Sequence, residues 1–561
     1  MSAPLPDVPV SSDQGLLDAL AADLADARFY FDDVTALLGA EAHAALGRDQ
    51  TVPARIVLAS GPAAGAGARE RALAVVVELF LIAGTVPART LDGALPRTGA
   101  AGLVALGLAE PHGAGLRSRV DLRPHASDAD AEIWVAADLG SNQRPGVLRT
   151  DHVLGIGQAS LTLAQTTVRT PAARALDLGT GCGIQTFHLL AHAEHVVATD
   201  ISERALAFTR FNLLLNHAAL GIDPDDLSAR VDLRLGSLLE PVATETFDLI
   251  VSNPPFVITP RTPGEADGER YTYRDGGLPG DSLVAHLVSG LPGLLTPGGT
   301  AQMLANWEVA AGAGHWSERP SAWLETGAAA ETGAEAWFIQ RDTESPLQYA
   351  EIWLRDAAEA RDPEHYRRRY ADYLADFASR DVEQIGFGMV WLRRPAAHDG
   401  AARGSASVRR PVGRRFEEIE HPIEQPVGPH LGAAVAAADE LAAAAAVPAP
   451  GGDTAAADAA LERLHVVVAE DVTEERHQRP GAEHPGVILL RQGAGLRRTS
   501  LLSTAEAGLV SACDGELSVG QIAGAVSALL GDEDPELKPT LLAGVRRLIL
   551  EGFLTQTVQR R

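Results

Sequence analysis

"ALDLGTGCGIQTFHLL", residues 175–190, decides how the middle of this chain folds. A mostly apolar run ends at Leu178, three glycines follow at every second position (Gly179, Gly181, Gly183), and an apolar run then resumes. The first part reads as a buried strand and the last as a helix, which leaves the glycines to form the turn between them. Glycine lets such a turn bend sharply and lets a ligand approach its backbone, while the helix start beyond it favours an anionic group. A dinucleotide fingerprint requires GxGxxG. Here the spacing is GxGxG, led by an acid, Asp177.

Outward from this turn, from about residue 150 to 395, strand patterns alternate with helix patterns, which predicts an α/β domain with a mostly parallel sheet. The strand candidates are "RALDLG", "HVVATDI", "ARVDLRLG", "FDLIVSN", "TAQMLANW", "AWFIQRD" and "GFGMVWLR". Helices fit between them: "IQTFHLLAHA", "SERALAFTRFNLLLNHA" with Ser202 as N-cap, and Asp281 to Leu295. "DPEHYRRRYADYLADFASR" reads as a solvated helix packed on one side. One strand ends abruptly. "FDLIVSNPPFVITP", residues 247–260, runs into Asn253 and two prolines, which cannot continue a central ladder. In a doubly wound sheet ligands bind beyond the C-terminal strand ends, so this strand is expected to deliver a carboxamide to a binding site. His188, His192 and His195 read as helix-surface or core residues.

The acid-led glycine loop, with Asp200 closing the next strand 21 residues after Gly179, resembles the class I S-adenosylmethionine (SAM) methyltransferases. With "NPPF" the chain resembles, over about residues 150 to 395, the NPPY/F group of SAM-dependent N-methyltransferases. "SNPPFVITP" and the later "YRDGGLPGDSLVAHLVSGLPGLLTPGG" are most similar to the release-factor glutamine methyltransferase type, a small-methyltransferase domain. The resemblance implies SAM as cofactor. It assigns Asp177, Gly179, Gly181 and Gly183 to the cofactor's amino-acid end, Asp200 to its ribose and Ser237 to its adenine. Gly157 and Ser160, in "DHVLGIGQASLTLAQ", are implied to touch SAM as well. Asn253, Pro254, Pro255 and Phe256 are implied to hold the target nitrogen. An amide or nucleobase NH₂ is a weak nucleophile because its lone pair is delocalised. The Asn253 side-chain carbonyl and the Pro254 backbone carbonyl can accept its two hydrogens, and Phe256 can pack flat against the group. Phe256 stands where the glutamine enzymes usually carry tyrosine, and the N-terminal helical bundle usual in that type is not evident in the sequence.

The chain's 561 residues suggest two to four domains. The reading divides it into residues 1–145, a helical or winged-helix-like domain; 146–395, the methyltransferase domain; 396–415, a linker; and 416–561, a second mainly helical, possibly winged-helix-like domain. Residues 70–84 and 99–111 are the helical runs of the first, and "GLRSRVDLRP" its expected wing; a small helical docking domain reads equally well. In the last domain, two Ala-rich helices precede a capped helical stretch. "RTPGEADGERYTYRDGG", residues 261–277, is a candidate lid.

With 46% hydrophobic and 22% charged residues, the composition is that of an ordinary soluble protein. No apolar run suggests a membrane span or signal peptide, so a cytoplasmic location is expected. The two cysteines, Cys182 and Cys513, argue against a disulfide framework or a metal site, and Cys182 fits as a small residue in a tight loop. A net charge of −27 disfavours indiscriminate binding to nucleic acid or anionic membranes. Residues 55–124 reverse the sign, with eight arginines against five acids. The leading expectation is N-methylation of a glutamine side chain in a release-factor-like protein. The alternatives are N-methylation of a base in rRNA, tRNA or DNA, and a non-catalytic binding or regulatory protein on the same fold.

Overall fold

The computed structural model describes residues 7–48, 50–61, 67–126, 132–144, 148–261, 274–356, 362–396, 412–445, 453–530 and 536–557. Most of the expected lid (262–273) and of the expected linker (397–411) lies outside the described residues. The chain divides into two units: residues 1–164, 171–334 and 340–396 in the first, and residues 165–170, 335–339 and 397–561 in the second.

Each expected strand of the central domain is present: β1 (Ala172–Leu178), β2 (Ala193–Asp200), β3 (Val231–Leu235), β4 (Phe247–Ser252), β5 (Leu295–Ala310), β6 (Glu335–Glu344) and β7 (Val382–Arg393). Their order across the sheet is β6-β7-β5-β4-β1-β2-β3. Pairings β1–β2, β2–β3, β1–β4 and β4–β5 are parallel, and β7 runs antiparallel to β5. Burial on both faces explains the near-continuous apolar runs, as in "LIV" of β4, where Leu249, Ile250 and Val251 are fully buried. From β1 the chain winds one way through β2 and β3, then returns to the other side for β4 and β5. The reversal lies between β1 and β4, which is where a doubly wound sheet opens a ligand crevice. This is a Rossmann-like doubly wound fold.

The N-terminal region differs from its reading. Four helices, Gln14–Asp26, Phe31–Leu38, Ala40–Leu46 and Val52–Ala59, occupy a stretch without a clear sequence signal; three of them span eight residues or fewer, too short for a strong periodic pattern. Helices Ala68–Phe80, Ala88–Ala94 and Gly99–Ala105 follow, with a three-stranded sheet in the order Thr85–Val86, Gly115–Ser118, Ala109–His112. "GLRSRVDLRP" is split: Gly115–Ser118 belongs to that sheet, whereas Val120–Ala126 pairs with Glu132–Asp138 in a separate hairpin.

That hairpin docks on the methyltransferase domain through two asparagines. Asn212 accepts from Ala136 N at 2.8 Å and donates to Ala136 O at 2.9 Å; Asn216 does the same for Trp134 N and O at 2.8 and 2.7 Å. Four helical residues rise about 6 Å and two strand residues about 6.6 Å, so carboxamides at i and i+4 match every second residue of an edge strand. They satisfy backbone groups that would otherwise be buried unpaired. Arg204, at the start of the same helix, adds a two-pronged ion pair to Asp138.

A second contact joins two histidines. His125 Nε2 of the hairpin lies 3.1 Å from His188 Nε2 of helix Ile184–Leu189, a bond that needs one neutral acceptor nitrogen. Burial pushes the His125 pKa down to about 4 from 6.5. A base whose folded pKa is lowered contributes stability above its unfolded pKa and loses it as pH falls through the folded value. Chemical unfolding followed between pH 7 and 4 is therefore expected to lose about 3 kcal/mol from this group. His125→Asn should flatten that part of the curve.

In the second unit, helices Gly428–Ala445 and Asp453–Glu462 are the two Ala-rich segments. Residues 465–502, silent in the sequence reading, form four strands, three of them the antiparallel sheet Val472–His477, Val487–Gln492, Thr499–Leu502. The capped stretch holds helices Thr504–Ser511, with a Ser503–Glu506 capping box, Val519–Leu530 and Leu537–Glu551. Strand Asp514–Ser518 interrupts them, and a core including Val466, Leu509, Ile522, Val545 and Phe553 unites the unit.

Candidate active site

At the end of β1 the backbone turns through Gly179, Gly181 and Gly183 with φ of +79°, +58° and +95°, a region that side-chain-bearing residues rarely adopt. A Cβ at Gly179 or Gly181 would meet nothing within 4 Å, whereas one at Gly183 would lie 2.8 Å from Phe187. The first two glycines face open space, and the third allows the helix to pack.

Asp177 braces this loop from behind. It is fully buried, and its Oδ2 accepts from Thr180 Oγ1 at 2.7 Å, Thr186 N at 2.9 Å and Thr186 Oγ1 at 2.7 Å. Oδ1 is buried with no hydrogen-bond partner among the described residues. Burial raises this carboxyl to about 6 against the pull of those hydrogen bonds. Asp200 ends β2 and clasps the loop from the other side, with Oδ2 accepting from Gly181 N at 3.0 Å and Oδ1 from Ser202 N at 2.8 Å. Burial is the main cause of its raised pKa. Cys182 is buried in the loop, and its thiol is pushed up to about 12 by desolvation, so it is inert packing.

The tips of β1 and β4 are tied together. Leu178 and Ser252 are register partners, and Ser252 Oγ donates to Leu178 O at 2.8 Å. The next residue on each strand is functional in type: Gly179 on one, Asn253 on the other. Both line one cavity of about 200 Å³. The half-buried Asn253 carboxamide has no hydrogen-bond partner among the described residues. The Pro254 carbonyl accepts from Phe256 N at 2.8 Å, which leaves it a second lone pair.

The same cavity is lined by Gly181, Asp200, Ser237, Ser160, Pro254 and Pro255. Asp177, Gly183, Gly157 and Phe256 do not line it. Asp177 and Gly183 sit behind the loop. The Phe256 backbone turns back at Pro254 and forms an antiparallel bridge with Asp275. Among lining residues that the sequence did not single out are His152, Leu154, Ile201, Asp275 and Gly276. Asp275 falls inside the quoted "YRDGG", where an acid between Arg and two glycines was the available signal.

The chemistry of SAM suits this donor set: two glycines whose missing Cβ atoms leave a cradle, and a partly accessible carboxylate at the second strand end for a diol. The region defines a Rossmann-like methyltransferase domain, and the comparisons agree. Residues 142–265 match the family described as methyltransferase small domain, and residues 26–119 match one described as "Domain of unknown function (DUF7059)". The "Release factor glutamine methyltransferase" of Cereibacter sphaeroides is 37% identical over 143 residues, 24% of this chain and 48% of that protein. The "Ribosomal protein uL3 glutamine methyltransferase" of Bradyrhizobium diazoefficiens is 32% identical over 159 residues, 28% of this chain and 46% of that protein. The resemblance to the release-factor glutamine type thus stands for this region, and the chain spans about half the length of the curated relatives it matches. The ribosomal protein L11 methylase of Lactobacillus delbrueckii subsp. bulgaricus overlaps at a TM-score of 0.19 and 23% identity, over 27% of this chain and 61% of that one, too little to bear on the fold.

Proposed function

We propose that this chain is a SAM-dependent N-methyltransferase whose acceptor is a protein glutamine side chain. The observation that carries the reading is the unengaged carboxamide of Asn253, in one cavity with the Gly179–Gly181 cradle and Asp200. SAM, when bound, supplies a methyl group on a sulfonium. Asp200 accepts from the ribose hydroxyls and Ser237 serves the adenine end. Asn253 Oδ1 and the free lone pair of Pro254 O accept the two amide hydrogens and turn the nitrogen's electron density toward the donor. Fixed prolines keep those acceptors in place, so orientation lowers the barrier. The names of the relatives support glutamine in a release-factor-like or ribosomal protein as the acceptor.

The flanking regions are read as docking domains, with residues 1–145, 146–395 and 416–561 as the working division. The helix–strand–helix–helix–strand–strand succession of residues 68–118 supports a winged-helix-like module. Among the described residues no helix is long and apolar enough to cross a membrane, which fits a cytoplasmic enzyme. Nucleobase methylation is the second reading, favoured by the basic stretch 55–124. Ion pairing weakens it: Arg97 is held by Asp23 and Asp26, Arg117 and Arg119 by Glu110, and Arg123 by Asp121. Incubation with methyl-tritiated SAM and cell lysate tests the reading. Label in protein supports it; label confined to RNA or DNA selects the nucleobase alternative, and no label selects a non-catalytic protein.

A further inference from the structure

We propose that Asp275 is a catalytic residue of this site, the acceptor of the proton that the target nitrogen sheds; the inference rests on the methyltransferase reading above. A strap runs back across the "NPPF" turn. Phe256 and Asp275 form an antiparallel bridge, and Val257 N donates to Arg274 O at 2.9 Å. Gly276 lies so close that a Cβ there would stand 3.2 Å from Pro255 O. The strap thereby brings Asp275 into the cavity that holds Asn253.

Asp275 is 8% exposed, and its carboxylate is divided in its engagements. Oδ1 accepts from Gly277 N at 2.8 Å and from Arg261, while Oδ2 has no partner among the described residues. Two contacts at one oxygen fix the side chain and leave the other oxygen as an acceptor.

An amide nitrogen that uses its lone pair to form the new N–C bond becomes cationic, while the bonding pair of the broken S–C bond stays on sulfur. The nitrogen then carries one proton too many. Asn253 and Pro254 offer neutral carbonyls, which orient N–H groups without taking a proton. Asp275 Oδ2 takes it and passes it to solvent, leaving a neutral methylated amide. Before transfer, its negative charge also favours the charge developing on nitrogen.

The test is Asp275→Asn in the full chain, assayed with methyl-tritiated SAM against two purified acceptors, a bacterial release factor and ribosomal protein uL3. The substitution keeps an oxygen for Gly277 N and removes the basic charge. General-base catalysis predicts that kcat falls about 100-fold or more. KM for the acceptor, the SAM dissociation constant by calorimetry and the melting temperature should stay close to wild type, and Asp275→Glu should restore part of the rate. Transfer by the wild type with kcat of D275N within threefold overturns the role of Asp275 and leaves the function standing. A parallel rise in KM or loss of SAM binding also overturns it, by making Asp275 structural. Absence of transfer by the wild type to either acceptor, with label entering no lysate protein, overturns the function and this inference together.

Discussion

Asn253→Ala is expected to lower kcat by about 1,000-fold, equivalent to about 4 kcal/mol of barrier, while SAM binds within about threefold of wild type. The size follows from what the residue would do. Methyl transfer to a planar nitrogen has no metal or covalent nucleophile assigned to it in this account, so the rate depends on aiming a delocalised lone pair. Alanine removes the side-chain acceptor and leaves only the Pro254 carbonyl, which already accepts from Phe256 N. Stability should hardly change, because the carboxamide hydrogen-bonds to none of the described residues and its removal strands no partner. Single-turnover kinetics with SAM in excess, with calorimetry for SAM binding, reads both quantities. A kcat within threefold of wild type refutes the assigned role.

Asp200→Ala should act on the other ligand, raising the SAM dissociation constant about 100-fold or more. Hydrogen bonds to a charged group contribute about 1.5–3 kcal/mol each, and a carboxylate on a diol offers two, so even partial loss reaches this size. The loop adds to it. Gly181 N and Ser202 N both donate to this carboxylate, and Ala leaves both without their acceptor, loosening the turn proposed to hold the ligand. At saturating SAM much of the rate should return, since Asp200 stands apart from the acceptor nitrogen in this account. Titration calorimetry with SAM and with S-adenosylhomocysteine separates the two: both should weaken alike if the ribose is the group held. Unchanged affinity for both would remove Asp200 from the site.

The central domain was legible because its physics is local. A doubly covered parallel strand must be apolar along its length, a strand-to-helix ligand loop needs glycine at positive φ, and a proline pair must end a ladder, so β1, β4 and the turns beyond them stand out in one sequence. Three features were not legible. Asn212 and Asn216 look like ordinary polar positions in "FTRFNLLLNHA"; only the strand they face reveals that they complete its backbone pairing. Asn212 also donates to Cys182 O at 2.9 Å, so one carboxamide joins the N-terminal hairpin to the glycine loop. His188 read as a core or surface histidine, and its partner His125 lies 63 residues away, beyond any local pattern. Asp275 was hidden in a glycine-rich stretch read as a lid, because a strap and a lid share the same composition.

Two of the expected site residues, Asp177 and Phe256, do not line the cavity. Asp177 was expected at the cofactor's amino-acid end; three hydrogen bonds hold its Oδ2 against Thr180 and Thr186, where it braces the loop. Phe256 was expected over the target group; its backbone bridges Asp275 of the strap. Spacing brings both residues close to the site, but it does not encode which atoms line a cavity.

The central claim is that the tips of β1 and β4 form one reaction site for a sulfonium donor and a flat NH₂ acceptor. A crystal structure of the protein with S-adenosylhomocysteine and a glutamine peptide from a release factor tests it most directly. The account predicts the ribose on Asp200, the glutamine amide against Asn253 Oδ1 and Pro254 O, and its nitrogen facing the cofactor sulfur. A peptide seated elsewhere, or an Asn253 turned away from the cofactor, would contradict it.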